Sequence, residues 1–412
     1  MAIPRPQPDL TSERGAVLVH VTIAMIGLLA FSSLVIDYGV MWAARRQAQN
    51  AADAAALAGA ISLAYVDFDD HELARQSALA VAAQNLVWGE APDVTAADIT
   101  FPPCPPGSPG EDTNSCIRVN VFRNQRAGGS PLPTFFAKLV GIDEQGVRAT
   151  ATAEALFGDS TDCVKPFAIP DKWDENMNDA GPPEWSETDT FERYQQNGPD
   201  RGQLITPGVP DEYSAGSGYS AESVALGGGD YGRYITLYNS SPHDTVRAGW
   251  YHPVRIARPG GNEYSDNIAS CNPTIIGPGT VLDVENGRMV GPTETGVAAL
   301  VAQDSLADWD PSLNDGRGGV KGGCMSMTTG GCAISPRLVA IPVYDPDAYN
   351  AMTASGGGHQ TVQIVKIVGF FMDKQQADGD VKGWITTYPS KPNAGMGGVP
   401  GDNFIVSVAL VR

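Results

Sequence analysis

Apolar positions along this chain are concentrated near one end. From Ala16 to Ile36, AVLVHVTIAMIGLLAFSSLVI, 21 residues pass without a charge. A helix rises about 1.5 Å per residue, so the run spans roughly 31 Å, the hydrocarbon thickness of a bilayer. Its polar interruptions are His20, Thr22, Ser32 and Ser33. Hydroxyls bond back to the carbonyl one turn earlier and so cost little in lipid. Cleaved secretory signals have a shorter apolar core followed by a small-residue cleavage site. Here the run continues into DYGVMWAARRQ, which reads as a charged extension of the same helix. A signal anchor is expected, with a transmembrane helix over 15–42.

Beyond the span the pattern turns to alanine. Ala43 to Ala60 holds ten alanines in 18 residues, and Ala44, Ala48, Ala52, Ala56 and Ala60 recur at i+4, flanked by Ala51, Ala55 and Gly59. Such a row is either plain helix propensity or a seam for another helix, since small residues let backbones approach. The candidate packing positions are Ala48, Ala52 and Ala56, with Gly15 and Asp37 bracketing the apolar run. After a break at 67–70, His71 to Trp88 reads as a second helix. Ile117–Phe122 and Val147–Leu156 alternate apolar and polar positions as half-buried strands do, the latter with Ala149, Ala151, Ala153 and Ala155 on one face. Phe135–Val140 between them reads as a short helix.

From Gly158 onward Gly, Pro, Asp and Asn separate short apolar runs, at Tyr234–Tyr238, Val281–Val284, Leu338–Tyr344, Val362–Met372 and Ile405–Val411. Frequent turn signals between short runs predict a β-rich region, with an acidic, loop-like stretch over 171–229 at its margin. The fold class is therefore α+β. Residues 1–14 read as a disordered tail, 15–42 as a single membrane helix, 43–157 as a small α+β head continuing that helix, and 158–412 as a β-rich domain.

The net charge is −20. Within residues 1–60, Arg5, Arg14, Arg45 and Arg46 balance Asp9, Glu13, Asp37 and Asp53, so the whole excess lies beyond residue 60. Such a surface repels nucleic acid and anionic lipid, which excludes nucleic acid as an expected partner.

The cysteines are Cys104, Cys116, Cys163, Cys271, Cys324 and Cys332; none forms CxxC and the five histidines do not cluster near them. Disulfides in an oxidising compartment fit better than a metal site. Six cysteines allow about 15 connectivities. Short loops favour Cys104–Cys116 and Cys324–Cys332, leaving Cys163–Cys271. Arginines flank the span on both sides and do not orient it. The cysteines do, placing the short tail in the cytoplasm and the large body outside the membrane.

Candidate chemistry is sparse. There is no GxSxG elbow, no HExxH and no GxxxxGK loop. Cys324 with His359 is the one nucleophile–base pairing to weigh, and a disulfide to Cys332 is the stronger reading. The aspartates around Asp308–Asp315 and Asp373–Asp380 offer oxygens to calcium, but without EF-hand spacing they read as solvated turns. Asp37 reads as an interfacial carboxylate or as an ion-pair partner for a second helix. His20 reads as snorkelling or as facing such a helix. No cofactor and no enzymatic activity are expected.

The stretch ERGAVLVHVTIAMIGLLAFSSLVIDYGVMWAARRQAQNAADAAALAGA resembles the N-terminal segment of TadG-like proteins of the tight-adherence (Tad, Flp pilus) assembly family. Gly15 before the apolar run, Asp37 closing it, then Arg45, Arg46, Gln47 and the AADAAALAGA run carry the likeness. TFFAKLVGI with VRATATAEA, CVKPFAIPDKW and VQIVKIVGFFM extend it more weakly. The resemblance implies a bacterial inner-membrane protein with a periplasmic body, working through its helix with other pilus-assembly proteins. A surface-displayed adhesin or minor-pilin-like protein would use the same anchor. Pilin precursors put Glu at the fifth residue after the processing glycine. His20 stands there, so pilin-type processing at Gly15 is not expected. The DxSxS metal motif of some relatives is absent, its nearest string being Asp310-Pro-Ser312-Leu-Asn314.

Overall fold

The computed structural model describes residues 10–65, 70–108, 111, 115–126, 129–175, 185–205, 210–216, 218–226, 228–242, 244–325, 334–356, 358–376, 379–391 and 402–411. One helix, Leu10–Tyr65, runs through both the apolar stretch and the alanine stretch. The expected tail over 1–14 is thus helical from Leu10, and residues 1–9 lie outside the described set. The two halves of this helix meet different surroundings. The large apolar side chains from Val17 to Phe31, and those of Val35 and Ile36, are exposed, Leu28 by 66% and Phe31 by 66%. Ala44, Ala48, Ala51, Ala52, Ala55, Ala56 and Ala60 are fully buried.

What buries them is the chain's own head. The spacing 44, 48, 51, 52, 55, 56 is that of one helix face. It packs against Val147–Gly158 and Cys116–Arg123 of a five-stranded sheet and against the second helix, His71–Gln84. Alanine meets alanine on both sides: Ala149, Ala151, Ala153 and Ala155 from the sheet, Ala74, Ala78 and Ala82 from the helix. Asp70 caps the second helix by accepting the Leu73 N–H at 2.9 Å. At Gly59 even alanine is too large. A Cβ there would overlap Ile117 Cδ1 and come within 3.2 Å of the Ala74 carbonyl oxygen. The alanine row is therefore not open to a partner helix. Smallness does encode close approach here, but to the head's own sheet and second helix.

The head sheet has the order Ile99–Thr100, Cys116–Arg123, Val147–Gly158, Ile405–Val411, Tyr388–Pro389. Ile405–Val411, expected in the β-rich region, pairs antiparallel with Val147–Gly158, Val411 opposite Thr152 and Ile405 opposite Gly158. Its apolar alternation fits either sheet, and only long-range pairing decides. The short element expected over Phe135–Val140 is a single 3-10 turn, Ala137–Val140.

The remaining residues form a mixed α/β body that is rich in strand. Seven strands pair in the order Leu338–Tyr344, Phe167–Pro170, Trp250–Arg255, Tyr234–Asn239, Val381–Thr386, Thr361–Met372, Val281–Val284. Leu338–Tyr344 also pairs with Thr361–Met372, so the first six close into a ring and leave few open edges. Three helices stand where the turn-rich pattern predicts only strands and loops: Gly261–Ala269, Val290–Gln303 and Pro346–Ser355. The last carries a legible start, with Asp345 accepting the Ala348 N–H at 2.9 Å and Pro346 at the first position. The acidic stretch over 171–229 is tied in by charge. Asp171 is fully buried and accepts the Tyr219 N–H and the Tyr213 hydroxyl, each at 3.1 Å. Lys366 donates to the Tyr219 carbonyl at 2.5 Å, and Lys172 pairs with buried Asp230.

Filling the alanine seam should be costly. Ala52→Leu keeps helix propensity but overpacks a site with no free surface, and should destabilise the head by about 1–3 kcal/mol. Asn50→Leu, on the exposed side of the same helix, should be close to neutral. Thermal unfolding of the detergent-solubilised chain compares them. Equal melting temperatures for both variants would mean the seam is looser than described.

Candidate functional site at the anchor–head junction

The apolar run ends at Ile36, and the next residue, Asp37, is buried. Its carboxylate collects three consecutive backbone donors from the head. Oδ1 accepts the Phe135 N–H at 2.7 Å, and Oδ2 accepts those of Phe136 at 3.0 Å and Ala137 at 2.6 Å. These are the amides that lead into the 3-10 turn Ala137–Val140, so the anchor caps an element of the head. Gln145 Nε2 donates to the Asp37 carbonyl at 3.4 Å from the other side of the same loop. The turn is closed at its base by Thr134 Oγ1, which is within 2.6 Å of the Ile142 carbonyl and 2.9 Å of that of Asp143. Neither sequence reading of Asp37, a solvated carboxylate or an ion pair with a second helix, describes this. It is a clamp between the apolar part of the long helix and the head.

The other candidate residues fall out separately. A side chain at Gly15 would meet no described atom of this chain within 4 Å. His20 Nδ1 lies 2.7 Å from the Ala16 carbonyl and Thr22 donates to that of Leu18 at 2.8 Å, both satisfied along the helix itself. Two disulfides join described residues, Cys104–Cys116 and Cys163–Cys271, with sequence separations of 12 and 108. Cys324 is disulfide-bonded as well, while Cys332, its expected partner, lies outside the described residues. The Cys324–His359 pairing is therefore not a nucleophile and base, and His359 instead sits 2.8 Å from Asp283 Oδ1.

A pairing the sequence did not flag, Ser240 with His252, has the reverse polarity for catalysis. Ser240 Oγ donates to the Tyr251 carbonyl at 2.7 Å, so it accepts from His252 Nδ1 at 2.8 Å, whereas an activated serine gives its proton to the imidazole. Both residues are buried, and burial pushes the imidazole down to about 3. Two groupings put cysteines beside a carboxylate, Cys104, Cys116 and Glu154, and Asp162, Cys163 and Cys271. Their sulfurs are oxidised to disulfides and offer no thiolate. Asp310 accepts from the Ser312 N–H and hydroxyl and from Lys321 Nζ at 2.6 Å, which holds its carboxyl below the usual range. Asp308 is held low by Lys374 at 2.9 Å. These aspartates have cations of their own.

Residues 15–62 match the family model described as Tad, putative Flp pilus-assembly TadE/G-like. The chain thus carries a TadE/G-like N-terminal segment, which includes Asp37 and the alanine row. Searches of curated proteins and of solved structures gave no significant match.

Two measurements test the geometry. Asp37→Ala removes the acceptor of three amides, and charge-assisted hydrogen bonds contribute about 1.5–3 kcal/mol each. Hydrogen exchange at Phe135, Phe136 and Ala137 should accelerate at least tenfold (about 1.4 kcal/mol at RT ln 10), with Val147–Gly158 unchanged; unaltered exchange at those amides would refute the clamp. The second concerns His252. The unfolded chain takes up a proton near the ordinary value of 6.5, which the native state refuses until about 3. Stability from this group is therefore complete above about pH 6.5 and declines as pH falls toward 3. The melting temperature should drop less between pH 6.5 and 4 in His252→Gln than in the parent, and parallel pH profiles would contradict the assignment.

Proposed function

We propose that this protein is a membrane-anchored structural component of Flp pilus assembly in the bacterial envelope. It acts by binding other assembly proteins and has no enzymatic role. The observation that carries this reading is the coincidence of the TadE/G-like match over 15–62 with a helix apolar and long enough to cross a membrane. Disulfides in the head and body support an oxidising side for both, hence an inner-membrane anchor with a periplasmic body. Because the alanine row is occupied by the head, partner helices are left the apolar stretch before it, where the large side chains from Val17 to Phe31 are exposed. A surface-displayed adhesin or minor-pilin-like protein is the second reading, favoured by the size of the strand-rich body relative to its anchor.

The two separate in cells. A photocrosslinking residue at Leu28 should capture another pilus-assembly protein, the same residue at Ala52 should capture none, and deletion of the chain should abolish piliation. Normal piliation in the deletion strain, with the body open to external protease on intact wild-type cells, would replace the assembly role by display.

A further inference from the structure

We propose that the turn over 134–142 is a second membrane contact, a foot that sets Phe135 and Ile142 into the boundary between headgroups and acyl chains where the anchor leaves the bilayer. The proposal rests on the membrane-anchored reading and adds a lipid-facing surface to the head.

The position of the turn follows from the clamp. Asp37 is the residue after the apolar run, and its carboxylate holds the Phe135, Phe136 and Ala137 amides at 2.6–3.0 Å. With one residue of helix rising only about 1.5 Å, the turn lies level with the end of the span. Two of its apolar side chains are turned outward nonetheless: Phe135 is 55% exposed and Ile142 53%. Lys138, also exposed, is the cation on the same turn. A flexible loop would fold such groups inward. This one is closed by Thr134 on the Ile142 and Asp143 carbonyls and by the Ile142 N–H on the Ala137 carbonyl at 3.0 Å.

The anchor helix shows the matching layer. Tyr38 is 60% exposed and Trp42 55%, one turn apart on one face, and the Arg46 guanidinium lies over the Trp42 ring at 4.9 Å from its centroid. Tyrosine and tryptophan followed by a snorkelling arginine is the order of groups at a membrane–water boundary. The exposed side chains of 17–31, the turn held at Asp37 and the aromatic step at 38 and 42 thus follow one another along the same helix, and a bilayer that covers the first reaches the level of the turn. Scattered exposed apolar residues need no explanation, but this pair is fixed by hydrogen bonds beside the end of a span. The net acidity of the chain does not oppose the contact in neutral lipid, where insertion is apolar.

The test uses the full chain in phosphatidylcholine vesicles with a polarity-sensitive fluorophore on one introduced thiol, the described native cysteines being disulfide-bonded. The positions are Ile142→Cys, Phe135→Cys as an independent second site, Leu28→Cys inside the span, and Leu306→Cys, 75% exposed on the body. Nitroxide-bearing lipid should quench 142 and 135 several times more strongly than 306, and aqueous iodide should show the reverse order. If 28 is quenched while 142 and 135 are as open to iodide as 306, the foot is wrong and the anchor stands. Sites at 142 and 135 shielded from iodide yet unquenched by lipid would mean protein covers the turn, which also overturns the proposal. Failure of lipid to quench 28 would remove the anchor itself.

Discussion

Close approach between two alanine faces is the contact on which the rest of the head depends. One helix must serve two surroundings, and the change occurs within a few residues. From Val17 to Phe31 the large apolar side chains face outward; from Ala44 the buried face is methyl groups pressed against Val147–Gly158. Methyl groups bury little area each, so the seam holds by being long and gap-free. Larger residues would give more area but would push the helix off the sheet. At Gly59 Ile117 takes the space of a side chain.

Asp37 completes the junction by other means. A carboxylate at the head's edge satisfies three amides that begin a turn and would otherwise face water or lipid. The hydrophobic and hydrogen-bonded parts of the junction lie on one helix in sequence order: apolar surface, clamp, seam. The head is thereby positioned by the anchor directly, with no linker between them. The body's own polar interior, with Asp171, Asp230, Lys366 and Arg337 buried and paired to backbone or to each other, concerns its own packing and reaches none of these groups.

The features legible in the sequence were those written in local periodicity: the apolar run, the alanine row, the second helix, the alternating strands at 117 and 147 and several of the body's strands. What the row touches was not legible, because small side chains signal proximity without identifying the neighbour. The role of Asp37 was hidden for a different reason. Its partners are main-chain amides about a hundred positions away, and a backbone N–H has no letter in a sequence. Val290–Gln303 was obscured by the glycines and proline in its first half, and Trp250–Arg255 by Pro253 within a strand. Asp345 before Pro346 is a helix start written in the sequence, set among strand signals that mask it. The family likeness reached the anchor segment, where those signals are densest.

The strand Ile405–Val411 has a mechanical consequence. The chain leaves the head sheet at Gly158, builds the ring of strands and comes back to the same sheet beside the strand it left. The outgoing and returning crossings are fastened side by side, Thr161 Oγ1 lying 2.9 Å from Ser390 Oγ and the Ser390 N–H donating to the Val406 carbonyl at 2.9 Å. The body is therefore inserted into the head and held by a doubled strap. A tug on the body divides between two adjacent strands loaded along the sheet, where several hydrogen bonds must shear together, and a twist meets a ribbon where a single tether would swivel. Load on the body is thus passed to the N-terminal helix through two strands at once, without a hinge.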